Sequence, residues 1–228
     1  MLLLVGSPRL SFSTSESLGS YVTEALNRKG WQTSCVRLLS ALRSEERIRG
    51  LLSEVERADL LVLAAPLYVD SCPAPVIRAM ELISQRSRES GWSRKRLLAI
   101  VNCGFPESFH NDVALAIYRQ FAKEAGFVWV GGLSLGMGGF ISGRPLVHLG
   151  RVGKRIRNSL DLAAEALAQD QPLPAKAVEL MGKKMMPKWL YLFMGNLGWR
   201  REARKRGVAA RLNDRPYAAD QNAGEAWR

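Results

Sequence analysis

Six hydroxyl side chains, Ser7, Ser11, Ser13, Thr14, Ser15 and Ser17, share a short stretch with one arginine, Arg9. The stretch lies between an apolar run, Leu2–Val5, and a helical stripe of Leu18, Val22, Ala25 and Leu26. A helix N-terminus presents unpaired N–H groups and a partial positive charge, which together suit a phosphate. Hydroxyls add small neutral donors, Gly6 permits a tight turn, and a guanidinium can neutralise the anion. Ser13–Thr14–Ser15–Glu16 also reads as a capping box, in which Ser13 and Glu16 exchange bonds with the backbone. A cap uses one hydroxyl, and six exceed that need. The loop contains neither G-x-x-x-x-G-K-[ST] nor G-x-G-x-x-G, which disfavours an ATP P-loop and a dinucleotide turn. Glu16 counts against a phosphate, since its carboxylate lies at the same helix end.

The elements that must position this loop alternate along the chain. Leu2–Val5 is a continuous apolar run, the mark of a strand covered on both faces. Gly30 closes the first helix, and Trp31–Leu38 can form a second strand. Ile48, Leu51, Leu52 and Val55 give a helical stripe before "ADLLVLAAP", a third strand stopped by Pro66. Val76, Met80 and Ile83 mark the next helix, and Leu97–Val101 a fourth strand. Val113, Ile117 and Phe121 mark another helix, Phe127–Leu135 a fifth strand, and Ile156, Leu160, Ala163 and Leu167 a long last helix. Five βα units in series predict a parallel sheet wrapped on both faces by right-handed crossovers. Ligands of such sheets sit beyond the carboxyl ends of the strands. The loops of interest are therefore Gly6–Ser15, Pro66–Pro75, Asn102–Asn111 and Gly136–Arg144. After Gln171 the rhythm ends, and "QPLPAK" reads as a linker.

The chain has 228 residues and a formal charge of +12, enough for one domain plus an extension. Twelve Lys/Arg stand against five Asp/Glu from Lys176 to Arg228, so the charge belongs mainly to the tail. Cys35, Cys72 and Cys103 have no metal-ligand spacing, and an odd count fits a reducing cytosol, so a cytoplasmic protein is expected. The opening MLLLVG is too short for a signal-peptide core and reads as a buried strand. No apolar run is long enough to span a bilayer.

"GSPRLSFSTSESL" followed by "ADLLVLAAPLYVDSCPAPVIRAME" resembles the flavodoxin-like NAD(P)H-dependent FMN reductase family. Members show a G-S-x-R-x-x-S-x-(S/T) phosphate loop and a P-x-Y-x-x-S-x-P segment after the third strand. The similarity spans about residues 2 to 145; Val69 stands where many members carry asparagine. It implies an α/β, flavodoxin-like three-layer sandwich: a five-stranded parallel sheet in order 2-1-3-4-5, plus a C-terminal extension. The expected division is 1–170 for an FMN-binding domain and 171–228 for the basic extension. FMN is implied as cofactor and NAD(P)H as co-substrate, with electrons passed to a quinone, another flavin or a metal complex. Many such reductases are oligomers.

The remaining loops fit a flat ring. Pro66, Pro73 and Pro75 stiffen their segment, and Leu67, Tyr68 and Val69 can wall an isoalloxazine. Alternatively the segment is a proline-rich connection with Tyr68 as surface cover. "NCGFPESFHND" can supply the other wall: Gly104 allows close approach, and Phe105 or Phe109 can shield the ring edge. Cys103, with no His/Asp partner pattern, reads as a small buried thiol beside the ring. His110 reads as part of the turn that opens the following helix. "LGMGGFISGRP" reads as a lid, a rim or a subunit contact, and Arg144 as a cofactor or NADPH-phosphate contact or a surface arginine.

The tail "MGKKMMPKWLYLFMGNLGWRREARKRG" suits an anionic membrane surface, a second subunit, or docking on its own domain. It has the charge for RNA but no recognised module, so nucleic acid is disfavoured. Three classes of function follow: an FMN-dependent oxidoreductase, a flavodoxin-type electron carrier, or an interaction protein on that scaffold. Such carriers are usually strongly acidic, and a basic chain favours the oxidoreductase.

Overall fold

Burial divides the strands into a covered centre and two edges. The computed structural model describes residues 1–9, 12–92 and 94–215. Strands β1 (Leu2–Val5), β3 (Leu60–Pro66) and β4 (Arg96–Asn102) are buried along nearly their whole length. Edge strand β2 (Ser34–Arg37) is mostly exposed, and β5 (Val128–Leu135) alternates. All pairs are parallel and the order is β2-β1-β3-β4-β5. This is the flavodoxin-like sheet, in the expected order.

Alternate strand residues feed opposite layers, as pleating requires. Leu2, Leu4, Leu61, Leu63, Leu97 and Ala99 meet α3 (Glu45–Arg57), α4 (Ala74–Ser90) and α5 (Asp112–Glu124). Leu3, Val5, Leu60, Val62, Leu98 and Ile100 meet α1 (Thr14–Asn27), α6 (Gly150–Ala168) and α7 (Ala175–Gly182). The short helix α2 (Leu38–Ala41) follows β2 directly, so the second strand is shorter than Trp31–Leu38. Gly6, just past β1, sits so close to its neighbours that a Cβ would lie 2.4 Å from Val76 Cγ2. That contact sets the start of the serine loop against the start of α4.

Two sequence expectations change. The buried face of α5 is Ala114, Tyr118, Phe121 and Ala122; of the expected stripe Phe121 is buried, Ile117 is half-buried against the core and Val113 is exposed. "QPLPAK" is not a free linker: Leu173 N donates to Val130 O at 3.3 Å, and α7 begins within it. α7 packs against α6 and β5 and buries Ala177 and Met181 in that layer of the core. The described chain forms two compact units, Met1–Met185 and Met186–Arg228. The second unit contains α8 (Lys188–Lys205) and a short 3-10 turn, Ala209–Arg211. Among the described residues, no helix is long and apolar enough to cross a membrane.

Candidate functional site

Parallel strands deliver their loops to one end of the sheet, and four of those loops enclose a cavity of about 330 Å3. Ser7, Arg9, Ser13, Thr14 and Ser15 line it from the first loop, Pro66, Leu67 and Tyr68 from the second. Asn102, Cys103 and Gly104 come from the third, and Gly138, Gly139 and Ser142 from the fourth. Ten of the thirteen candidate residues therefore share one cavity. Val69 and Phe105 lie outside its lining, and Ser11 falls outside the described residues.

Its polar end is built from hydroxyls that are already acceptors. Ser7 Oγ accepts from Arg9 N at 3.3 Å. Ser13, the N-cap of α1, accepts from Glu16 N at 3.1 Å. Ser15 Oγ accepts from Asn102 Nδ2 at 2.8 Å. A hydroxyl that accepts keeps its own proton to donate. Three buried serines thus line the cavity with hydroxyls whose protons remain available to donate, while protein donors hold their oxygens. The amide N–H groups of Thr14 and Ser15, in the first helical turn, meet no acceptor among the described residues. Arg9 is exposed and has no carboxylate partner among the described residues. The arrangement suits a dianion.

The capping alternative is half present. Ser13 caps the helix, but Glu16 does not reach back; its carboxylate pairs with Arg37 at the end of β2. The charge that counted against a phosphate is therefore neutralised on the side of β2. Thr14 donates its hydroxyl to Gly138 O at 2.8 Å, so it ties two loops together and offers the site its amide instead.

The flat side of the cavity is rigid. Leu67 N donates to Asn102 O at 2.8 Å, and Tyr68 and Ser71 exchange both backbone bonds at 3.0 Å. Val69 and Asp70 between them have φ of +49° and +53°, the mirror-image turn normally filled by Asn or Gly. A β-branched residue there is strained, and Val69 is 99 % exposed with nothing to offset the strain. Val69→Asn is expected to stabilise the fold by about 1 kcal/mol, raising Tm by about 2–4 °C. Thermal melts of the two proteins check this; a lower Tm would mean that the valine makes a contact of its own.

Opposite, burial pushes the Cys103 thiol up, and its Sγ lies 3.6 Å from Glu107 O and 3.8 Å from Phe105 O. It is a neutral donor rather than a thiolate nucleophile, in keeping with the buried-thiol reading. Phe105 and Phe109 sandwich His110, with ring centroids 4.2 and 4.4 Å apart, just before α5. The glycine loop is a fixed wall: Met137 N donates to Phe105 O and Gly138 N to Cys103 O, both at 2.7 Å. Arg144 folds onto its own loop, bonding Phe140 O and Ile141 O and covering the Phe140 ring, as a surface arginine does.

The sequence reading missed Asn102, the buried amide that connects the first and third loops. Its Nδ2 also reaches Ala65 O at 3.2 Å, so one side chain sets Ser15 against β3. The signal was a single polar residue closing an apolar strand.

The profile of the NADPH-dependent FMN reductase family matches residues 1–138. The chain belongs to that family. Its activity is NAD(P)H-dependent oxidoreduction with FMN as the cofactor. No curated protein matches the sequence. Among solved structures, an apo NADH:FMN oxidoreductase (EMOB) is 15% identical, with a TM-score of 0.56, covering 83% of this chain and 97% of that one. RosB, solved with 8-demethyl-8-formylriboflavin-5'-phosphate, is 16% identical, with a TM-score of 0.55, covering 75% and 80%. An FMN-dependent NADH-azoreductase from Bacillus anthracis, solved with FMN, is 15% identical, with a TM-score of 0.50, covering 73% and 98%. At these identities the likeness speaks for the fold. The donor set of this FMN reductase fits its family's cofactor: neutral hydroxyls, free amides and one guanidinium at one end, and an apolar slot beyond.

Proposed function

We propose that the four-loop cavity holds FMN, and that the enzyme passes electrons from NAD(P)H to a planar quinone or a second flavin. The observation that carries this reading is the convergence of three proton-bearing serines, two free amides and Arg9 at one end of an otherwise apolar slot. Ser7, Ser13 and Ser15, with the Thr14 and Ser15 amides and Arg9, would hold the phosphate. Pro66, Leu67 and Tyr68 would face the ring on one side and Cys103 and Gly104 on the other. Val69 and Phe105 would border its exposed edge. FMN, when bound, supplies the two-electron chemistry, so no protein nucleophile is needed. The residues orient it, and the neutral Cys103 keeps an unwanted charge away from it.

The choice of acceptor rests on exposed apolar side chains beside the cavity: Tyr68, which lines it, and Val69 and Phe105, each next in the chain to a lining residue. Apolar side chains favour a planar organic acceptor over a hydrated metal complex. With saturating NADPH, kcat/KM for a naphthoquinone is expected to exceed that for ferric EDTA by at least about tenfold. Tyr68→Ala is expected to raise KM for the quinone by about tenfold, with a smaller change in kcat. Equal kcat/KM for the two acceptors would overturn this assignment. The same exposed apolar side chains support a homo-oligomer with a second copy beside the site, and the solution mass, at twice the chain mass or more, reads that out. A flavodoxin-type carrier is disfavoured by the sequence pI of about 10.1.

A further inference from the structure

The second unit holds a helix whose uncharged half is mostly exposed, with Leu190 and Tyr191 half-buried. From Trp189 to Trp199, α8 carries eleven residues without a charge. Trp189, Leu192, Phe193, Met194, Leu197 and Trp199 are all exposed. The only other regular element described in the unit is the turn Ala209–Arg211, too small to bury them.

The distribution of these side chains says what kind of partner they need. A helix that packs on a protein surface carries an apolar stripe on one side and polar residues on the other. Here the six consecutive residues Trp189–Met194 are apolar or aromatic, and at about 100° per residue they point in every direction around the axis. The charges stand at the two ends of the helix instead, with Lys188 before the uncharged stretch and a denser basic cluster after it. Arg200, Arg201, Arg204, Lys205 and Arg206 follow the uncharged half directly, opposed only by Glu202. The uncharged half is about 16 Å long, roughly half of the hydrocarbon thickness of a bilayer, so it can enter one leaflet but cannot cross. Tryptophans mark both of its ends, and indoles favour the membrane–water interface.

We propose that α8 is an interfacial anchor for an anionic membrane surface. Its Trp189–Trp199 half enters the outer part of one leaflet. Its basic half stays among negatively charged headgroups, which supply the complementary charge. Lipid is the occupant that takes the exposed Trp189, Leu192, Phe193, Met194, Leu197 and Trp199 together, and anionic headgroups are what the dense basic cluster beside them needs.

Flotation of the full chain with vesicles tests this at low and high salt. With 70:30 phosphatidylcholine:phosphatidylglycerol vesicles the protein is expected to float, and to bind pure phosphatidylcholine at least about tenfold more weakly. Arg204→Ala with Lys205→Ala is expected to lower partition by about thirtyfold, at about fivefold per charge. Leu192→Ser with Phe193→Ser keeps the net charge and is expected to cost at least about tenfold. Circular dichroism melts of each variant confirm that the fold persists. If the Leu192/Phe193 variant floats like the wild type, the contact is mere adhesion of a basic protein and the anchor is overturned. If the wild type stays in solution and that variant halves the solution mass, α8 packs on a second copy, which also overturns it.

Discussion

Arg9→Ala combined with Ser13→Ala is expected to weaken FMN binding by about 100- to 1,000-fold while changing riboflavin affinity by less than about threefold. The two ligands differ only in the phosphate, so their ratio isolates that group. Removing the guanidinium deletes a charge-assisted contact of about 1.5–3 kcal/mol, and removing the hydroxyl about 1 kcal/mol more. Ser13 also caps α1, and its loss costs the fold about 1 kcal/mol. That cost is common to both ligands and drops out of the ratio. Fluorescence titration with each flavin measures both constants. Equal losses for FMN and riboflavin would move the phosphate away from the serine loop.

Gly104→Leu is expected to abolish flavin binding, by more than about 100-fold, and to leave the melting temperature of the flavin-free protein within about 2 °C. A Cβ built on Gly104 meets no atom within 4 Å, because it projects into open space at the cavity wall. The larger side chain therefore has room in the empty protein and takes it from the ring. This separates a site effect from a folding effect. A variant that melts much lower would show Gly104 to be structural, and one that binds FMN normally would place the ring elsewhere. The account predicts neither.

How much of this was legible in the sequence depended on whether the signal was local. The serine loop was readable because its donors follow one another in the chain and the strand before it is uninterrupted. Its two complications were not. The neutralisation of Glu16 requires Arg37, which arrives only when β2 pairs beside β1. Asn102 reaches Ser15 because the parallel register sets it beside Pro66, a relation between strands some thirty-six positions apart. The face of α5 was only partly legible: Phe121 and Ile117 pack on the core as expected, but the centre of the buried face is Ala114 and Tyr118, and Val113 at the helix start is exposed. α7 was missed because eight residues are too few to establish a period, and its burial rests on Ala177 and Met181. The position of Val69 in a left-handed turn shows the opposite case, a residue against the grain of its conformation, next in the chain to Tyr68 of the cavity lining.

The four-loop cavity is proposed to bind FMN, with NAD(P)H reducing it there. The most direct measurement is the visible spectrum of the purified protein incubated with FMN, freed of excess cofactor, and titrated with NADPH and then NADH without air. The account predicts a yellow protein with about one flavin per chain, whose visible band bleaches with about one equivalent of at least one nucleotide. Addition of a naphthoquinone should then restore the band. A protein that retains no flavin, or a bound flavin that neither nucleotide bleaches, would contradict it.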